Sequence, residues 1–438
     1  MFGYYLNLAL RSLKRHKILT ALMVMTIAFG VAASMTTWSV FRAVSGDPIP
    51  DKSSRLFVPQ IDNWGPSNRD SDGEPPDGMS WTDATNLMRA HRARYQSALY
   101  RISPSVVPGQ TGRHPFNAGG HAVFGEFFPM VDAPFQYGGP WNADDDANRA
   151  RVVVISSKLN DKLFDGADSV GKTLNLDGRD YRVSGVLKPW NPQPRFYDVV
   201  NSSSFNSDEE DLFLPFRTAI DLAMPNQGNT NCYEMPAEDG FTGLMHSECV
   251  WMTFMVQLDD ASQVAAYRKY LDGYAREQQQ AGRFTWAPNN RLRDLRSWLD
   301  HQHVVPDDSR TSLLVALGLL LVCLVNTAGL LLAKFLRRSG EIGVRRALGA
   351  SRREIYTQFL VEAGMVGLAG GGLGLLFTVI GVSGIGWVMP HDVAELARLD
   401  VPLLVLTLVL AVITTALAGL YPTFRAAHVQ PAWQLKTN

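Results

Sequence analysis

Four stretches of this chain contain no charged side chain: Ile18 to Val40, Leu313 to Ala333, Ala363 to Met389 and Val401 to Tyr421. A helix of about 20 residues crosses a hydrocarbon core of about 30 Å, so each run is long enough to span a membrane. The pattern predicts transmembrane helices over 18–41, 311–333, 358–389 and 401–421. Between the first two lies a polar segment, 42–310, rich in proline and glycine and ample for one or two soluble domains. The remaining pieces are an amphipathic segment 1–17, a basic loop 334–357, a short loop 390–400 and a tail 422–438. The predicted fold is an α-helical membrane domain with four transmembrane helices plus a large α+β extracytoplasmic domain inserted between helices 1 and 2. A mean hydropathy of −0.06, which would suit a soluble protein, hides this segregation.

Within the large segment, short apolar runs predict strands over Arg151–Ser156, Thr173–Leu176, Tyr181–Leu187, Asp211–Pro215 and Trp251–Leu258. Helical patterns cover Ser80–Arg94, Ser157–Phe164 and Ala261–Gln280, and Asp177-Gly178 reads as a hairpin turn. Asp62–Gly78 and Pro189–Glu210 show no regular pattern and read as loops.

Charge orients the helices. The first seventeen residues hold Arg11, Lys14, Arg15 and Lys17 and no acid; Lys334, Arg337, Arg338, Arg345, Arg346, Arg352 and Arg353 face only Glu341 between 334 and 353. By the positive-inside rule these segments are cytoplasmic, as is the tail with Arg425 and Lys436, while Asp392, Glu395 and Asp400 outweigh Arg398 on the far side. The first apolar run exceeds the 7 to 15 residues usual for a signal core, so it reads as a retained helix. The spacing of Phe2, Tyr5, Leu6, Ala9, Leu10 and Leu13 suits a helix lying on the inner membrane surface among lipids, or equally an extension of the first span. The net charge of −1 gives no support to a nucleic-acid partner. Of three cysteines, Cys323 falls in a membrane run, whereas Cys232 and Cys249 share the external segment, where oxidation to a disulfide is expected over two free thiols.

The most informative stretch is Glu341-Ile342-Gly343-Val344-Arg345-Arg346-Ala347-Leu348-Gly349-Ala350-Ser351. Glu341 and Arg345 stand at i and i+4, Gly349 suits a helix C-terminus, and Ser351-x-x-Glu354 reads as a capping box for the next helix. The spacing predicts a short exposed helix braced against the membrane; charge and periodicity alone say only "basic cytoplasmic loop".

These residues resemble the signature loop of the MacB/FtsX-type permeases, membrane subunits of a branch of ABC transporters. Val152-Val153-Val154-Ile155-Ser156 with Val170-Gly171-Lys172-Thr173-Leu174, and Tyr421-Pro422-x-x-Arg425-Ala426-Ala427-x-x-x-Pro431-Ala432, are similar to that family too. The resemblance implies that the Glu341–Ser351 loop docks on a separate, dimeric ABC ATPase that carries the ATP and Mg, the chain itself holding no cofactor. It implies a second permease subunit, identical or paralogous, and allows a periplasmic adaptor and an outer-membrane duct. It places the protein in the bacterial inner membrane and implies export of an amphiphilic substrate, with an FtsX-like signalling subunit that activates an extracytoplasmic partner as the alternative. The family's external part is built from a membrane-proximal lobe and an inserted distal lobe, which marks about Pro189 to Val250 as the candidate for divergence or insertion.

Gly166-Ala167-Asp168-Ser169-Val170-Gly171-Lys172-Thr173 matches the Walker A pattern, but a phosphate cradle needs a strand before it and a helix after it. Here the predicted order is helix then strand, on the external side, so the match reads as a turn. There is no H-E-x-x-H or G-x-S-x-G, and His301 with His303 reads as an incidental pair; no catalytic or metal site is predicted and the chain is not expected to be an enzyme. Gly367-xxx-Gly371 and Gly370-xxx-Gly374 predict close helix packing, within one subunit or between two. Glu362, at the cytoplasmic entrance of the third span, is expected to snorkel or pair with an arginine.

Overall fold

A computed structural model describes residues 2–427 except 16, 70–71, 110–113, 202–207, 306 and 386–400. The predicted 390–400 loop and the tail with Pro431, Ala432 and Lys436 therefore lie outside the described residues. The chain forms two compact units, one of residues up to 45 and from 306 onward, the other of residues 46–305.

The second unit is built on one mixed sheet. Its strands are β1 (Leu56–Gln60), β2 (Tyr95–Ile102), β3 (Ser105–Val107), β4 (Phe116–Asn117), β5 (Gly120–Val123), β6 (Phe135–Gly138), β7 (Val152–Ile155), β8 (Thr173–Leu176), β9 (Arg179–Leu187), β10 (Leu212–Pro215), β11 (Thr253–Gln257) and β12 (Arg291–Asp294). They run in the order β12-β1-β11-β2-β5-β10-β7-β9-β8-β3-β4, with β6 also paired to β9. β5 with β10 and β7 with β9 are parallel; the other pairs are antiparallel. Alternate residues feed two cores. Val153, Ile155, Leu212, Leu214, Phe254 and Val256 face one core, and Val152, Val154, Phe213 and Met255 face the other. The helices Trp81–Ala90, Ser157–Phe164 and Ala261–Gln280 cover the first face, contributing Leu87, Leu159 and Leu271 among others. The second is covered by Leu295–His301 and by the irregular segment that carries Phe196 and Tyr197.

Two expectations are corrected here. Pro189 to Val250 as a whole is not an insertion: it supplies β10, which sits inside the sheet between β5 and β7. Its irregular start, Pro189 onward, is a loop as expected, and it packs Phe196 and Tyr197 inward, each only 1% exposed. The helix predicted over Ser80–Arg94 ends at Ala90, because His91 turns into the left-handed region (φ 44°) to enter β2. Cys232 and Cys249 are joined as a disulfide, beside the bridge between Asn231 and Val250.

In the first unit, four helices long and apolar enough to cross a membrane run over Lys17–Ser45, Asp307–Leu336, Arg352–Gly384 and Val401–Ala427. They are preceded by the helix Phe2–Arg15. The glycines of the third span divide between two partners within the chain. A Cβ on Gly367 would stand 2.9 Å from Thr415 Oγ1 and one on Gly371 2.9 Å from Ala411 Cβ, both on the fourth span. A Cβ on Gly370 would stand 2.9 Å from Ile27 Cγ2 and one on Gly374 3.3 Å from the Ala28 carbonyl oxygen, both on the first span. Each i, i+4 pair lines one stripe, and the offset of three residues turns the second stripe onto the adjacent face. The two overlapping motifs thus let one helix approach two neighbours closely.

Candidate functional site

The loop between the second and third spans folds as the helix Ser339–Ala347. It stops where Gly349 takes φ +100°, a conformation that suits glycine, and the Ala350 amide donates to the Arg345 carbonyl (3.0 Å) in the 6→1 closure of a Schellman motif. The next helix starts at once. The Ser351 hydroxyl accepts from the Glu354 amide (3.2 Å) while the Glu354 carboxylate accepts from the Ser351 amide (2.8 Å), a reciprocal capping box.

The inner face of this loop helix is fixed to the spans. Ile342 is buried in the cluster that holds Ile355 and Phe359, so the helix is braced on this side and exposed on the other. Arg345 donates to Glu341 (2.7 Å) and to Gln358 on the third span (2.9 Å). Arg338 pairs with Glu341 (3.2 Å) and, through its other arm, with Glu362 (3.1 Å) and the Ser12 hydroxyl (3.0 Å). Glu362 is fully buried and receives a second cation, Lys334, at 2.6 Å, besides the Ser12 hydroxyl. One polar network therefore ties the loop helix, the second and third spans and the N-terminal helix together. Replacing water around Glu362 with two cations and a hydroxyl offsets the cost of burying its charge.

The outer face is apolar. Val344 and Leu348, one turn apart, are 58% and 83% exposed. Gly343 lies half-buried between the two faces, and Glu341 and Ala350 are half-buried as well. Arg346 and Ala347 belong to the helix, but their side chains lie outside the described residues. The site thus brings together Glu341, Ile342 and Arg345 as a brace and Val344 and Leu348 as a presented surface. Sequence reasoning paired Arg345 with Glu341 but missed Ser12 and Lys334 as members of the network. The available signal was Glu362, a lone acid at the edge of a span flanked by cations.

The Walker-like segment has the order expected for a turn: the helix Ser157–Phe164 precedes it and β8 follows. Its polar groups serve the loop itself. Ser169 donates to Asn160 (2.5 Å), Asn160 donates to the Ala167 carbonyl (3.0 Å), and Lys172 lies 5.2 Å from the centre of the Phe164 ring. His301 pairs with Asp77 (3.1 Å), and no cluster able to hold a metal occurs among the described residues.

A cleft of about 430 Å³ opens elsewhere in the 46–305 unit beside Phe124, Trp141 and Asp146. Burial pushes the Asp146 carboxyl up to about 6, although it accepts the Gly125 amide (2.8 Å) and the Trp141 indole (2.9 Å). An acid with a raised folded-state pKa favours folding most below its unfolded value, near 4, and loses that contribution as pH rises to about 6. Urea unfolding of wild type is therefore expected to weaken between about pH 4 and 6 relative to Asp146→Ala. Parallel profiles for the two proteins across that window would rule out this titration.

Taken together, four membrane-crossing helices, a large α/β unit between the first two and a braced basic loop helix define a multi-pass permease-type membrane protein with an extracytoplasmic domain. Residues 20–274 match the MacB-like periplasmic core domain and residues 313–431 the FtsX-like permease C-terminal domain, so the chain belongs to the MacB/FtsX family of ABC-transporter permeases. It is similar to the macrolide export ATP-binding/permease protein MacB of Escherichia coli K12, with 24% identity over 98% of this chain and 60% of that protein. The MacB of Syntrophobacter fumaroxidans is 23% identical over 99% of this chain and 64% of its own length. The chain thus spans less than two thirds of these curated relatives. Among solved structures, it is similar to the periplasmic region of MacB from Actinobacillus actinomycetemcomitans, with 15% identity, a TM-score of 0.35, and coverage of 56% of this chain and 92% of that one.

Proposed function

We propose that this chain is the permease subunit of an ABC transporter in which a separate, dimeric ATPase docks on the loop helix Ser339–Ala347 and drives motion of the extracytoplasmic domain. The observation that carries this reading is the two-sided loop helix: an exposed apolar pair, Val344 and Leu348, outward, and Ile342 with the Glu341–Arg345–Gln358 contacts inward. A surface built this way accepts a partner and transmits force to the third span without reshaping itself. The basic loop and both chain ends face the cytoplasm, in keeping with the excess of Lys and Arg there. ATP and Mg are held by the ATPase. A second permease subunit completes the assembly, and the substrate is an exported amphiphile, a class that includes the macrolides named for the relatives.

Native purification of the tagged chain from its own membrane tests this. Recovery of an ABC ATPase, with an adaptor or outer-membrane duct, is the expected result. A cell-wall hydrolase in place of the duct would favour the signalling alternative. Absence of any ATPase from a complex that stays intact in mild detergent would remove the proposal.

A further inference from the structure

An open cavity of about 570 Å³ lies where the N-terminal helix meets the loop-side ends of the first and second spans, lined by Lys14, Arg15, Lys17, Ile18, Leu19, Lys334 and Arg337. Five of the seven lining residues are cations and none is an acid. Lys334 is committed to Glu362. Lys14, Arg15, Lys17 and Arg337 are exposed and have no carboxylate partner among the described residues. Four cations held around one hollow repel each other unless an anion joins them, and nothing in the loop-helix network is spare to do so, since Glu341 and Glu362 are already paired.

The apolar side of the cavity narrows the class of anion. Ile18 is 81% exposed at its edge, and Leu22, one turn further along the same span, is 52% exposed. A free phosphate has no use for that wall. A phospholipid does, because its phosphodiester sits among the cations while its acyl chains run down the apolar flank of the first span. We propose that this cavity is a binding site for the headgroup of an anionic phospholipid, held between the N-terminal helix and the ends of the first two spans. The site rests on the membrane reading of the helices and not on ATPase docking, so failure of either leaves the other standing. Since the N-terminal helix also supplies Ser12 to the Glu362 network, a lipid bound here would brace the same junction that holds the loop helix.

Native mass spectrometry of the full chain released from nanodiscs of equal phosphatidylglycerol and phosphatidylcholine tests the site. Wild type is expected to retain phosphatidylglycerol preferentially. Each basic residue near a membrane surface contributes roughly fivefold to binding of anionic lipid, so Arg15→Gln/Lys17→Gln/Arg337→Gln is expected to lower that preference roughly a hundredfold, and Arg337→Gln alone about fivefold. Arg352→Gln/Arg353→Gln, which removes exposed cations outside the cavity, is expected to keep it. An unchanged preference in both cavity variants, or equal loss in the Arg352/Arg353 control, would overturn the site. Displacement of the retained lipid by millimolar glycerol 1-phosphate would overturn its assignment to a lipid and leave a soluble phosphate ester as the ligand.

Discussion

Val344→Glu with Leu348→Glu is expected to release the ATPase from an otherwise folded permease. Both side chains are exposed, on one face of a helix whose opposite face is held by Ile342. Substitutions at such positions shift stability by about 0.5 kcal/mol or less, and glutamate is a better helix former than valine. Truncating or charging a central apolar anchor of an interface, by contrast, costs about 2 kcal/mol or more, roughly thirtyfold in affinity. Co-purification of the ATPase should therefore fall to background while thermal unfolding of the permease stays where it was. Arg345→Glu is a poorer probe, because it would place two acids at i and i+4 and remove the bond to Gln358, mixing a broken brace with a lost contact. Full ATPase recovery with coupled activity in the Val344/Leu348 variant would place docking on another surface.

Much of this architecture is legible in the residues because its signals are local. The four spans follow from uncharged runs, and the loop helix from an i, i+4 ion pair, a glycine stop and a capping box, each of which depends on neighbours within four residues. The helices Ser157–Phe164 and Ala261–Gln280 and the strand Thr173–Leu176 also match their periodicity. The strand Tyr95–Ile102 does not. It is buried on both faces, so it lacks the alternation that marks a half-exposed strand, and it carries Gln96 and Ser97 inside. Those two polar groups are tolerated because Gln96 donates to the Leu87 and Met88 carbonyls and Ser97 accepts the Phe124 amide, contacts that only the folded sheet creates. The partition of the third-span glycines between two neighbours was hidden for a related reason: spacing tells which residues share a stripe, not which helix lies against it. The same limit applies to Glu362, whose partner Ser12 is 350 residues away in the chain.

Glu362→Leu is expected to be the most damaging single change in the membrane unit. Removing the carboxylate leaves Lys334, 1% exposed, with no counter-ion beside an Arg338 that keeps only Glu341, and an uncompensated buried charge costs about 3–5 kcal/mol. Lys334→Met added to Glu362→Leu should recover part of that loss, since it removes the stranded cation while keeping its volume. The recovery should stay incomplete, because Arg338 would still lack one of its two acids while keeping Glu341. Thermal unfolding in one detergent, read for wild type, both single variants and the double variant, gives the coupling directly. Because the network joins the loop helix to three other helices, the single variant is also expected to lose ATPase-coupled activity at temperatures where it remains folded. Additive effects of the two substitutions would mean that Lys334 and Glu362 do not stabilise one another, and the network would then be no route from the loop helix into the spans.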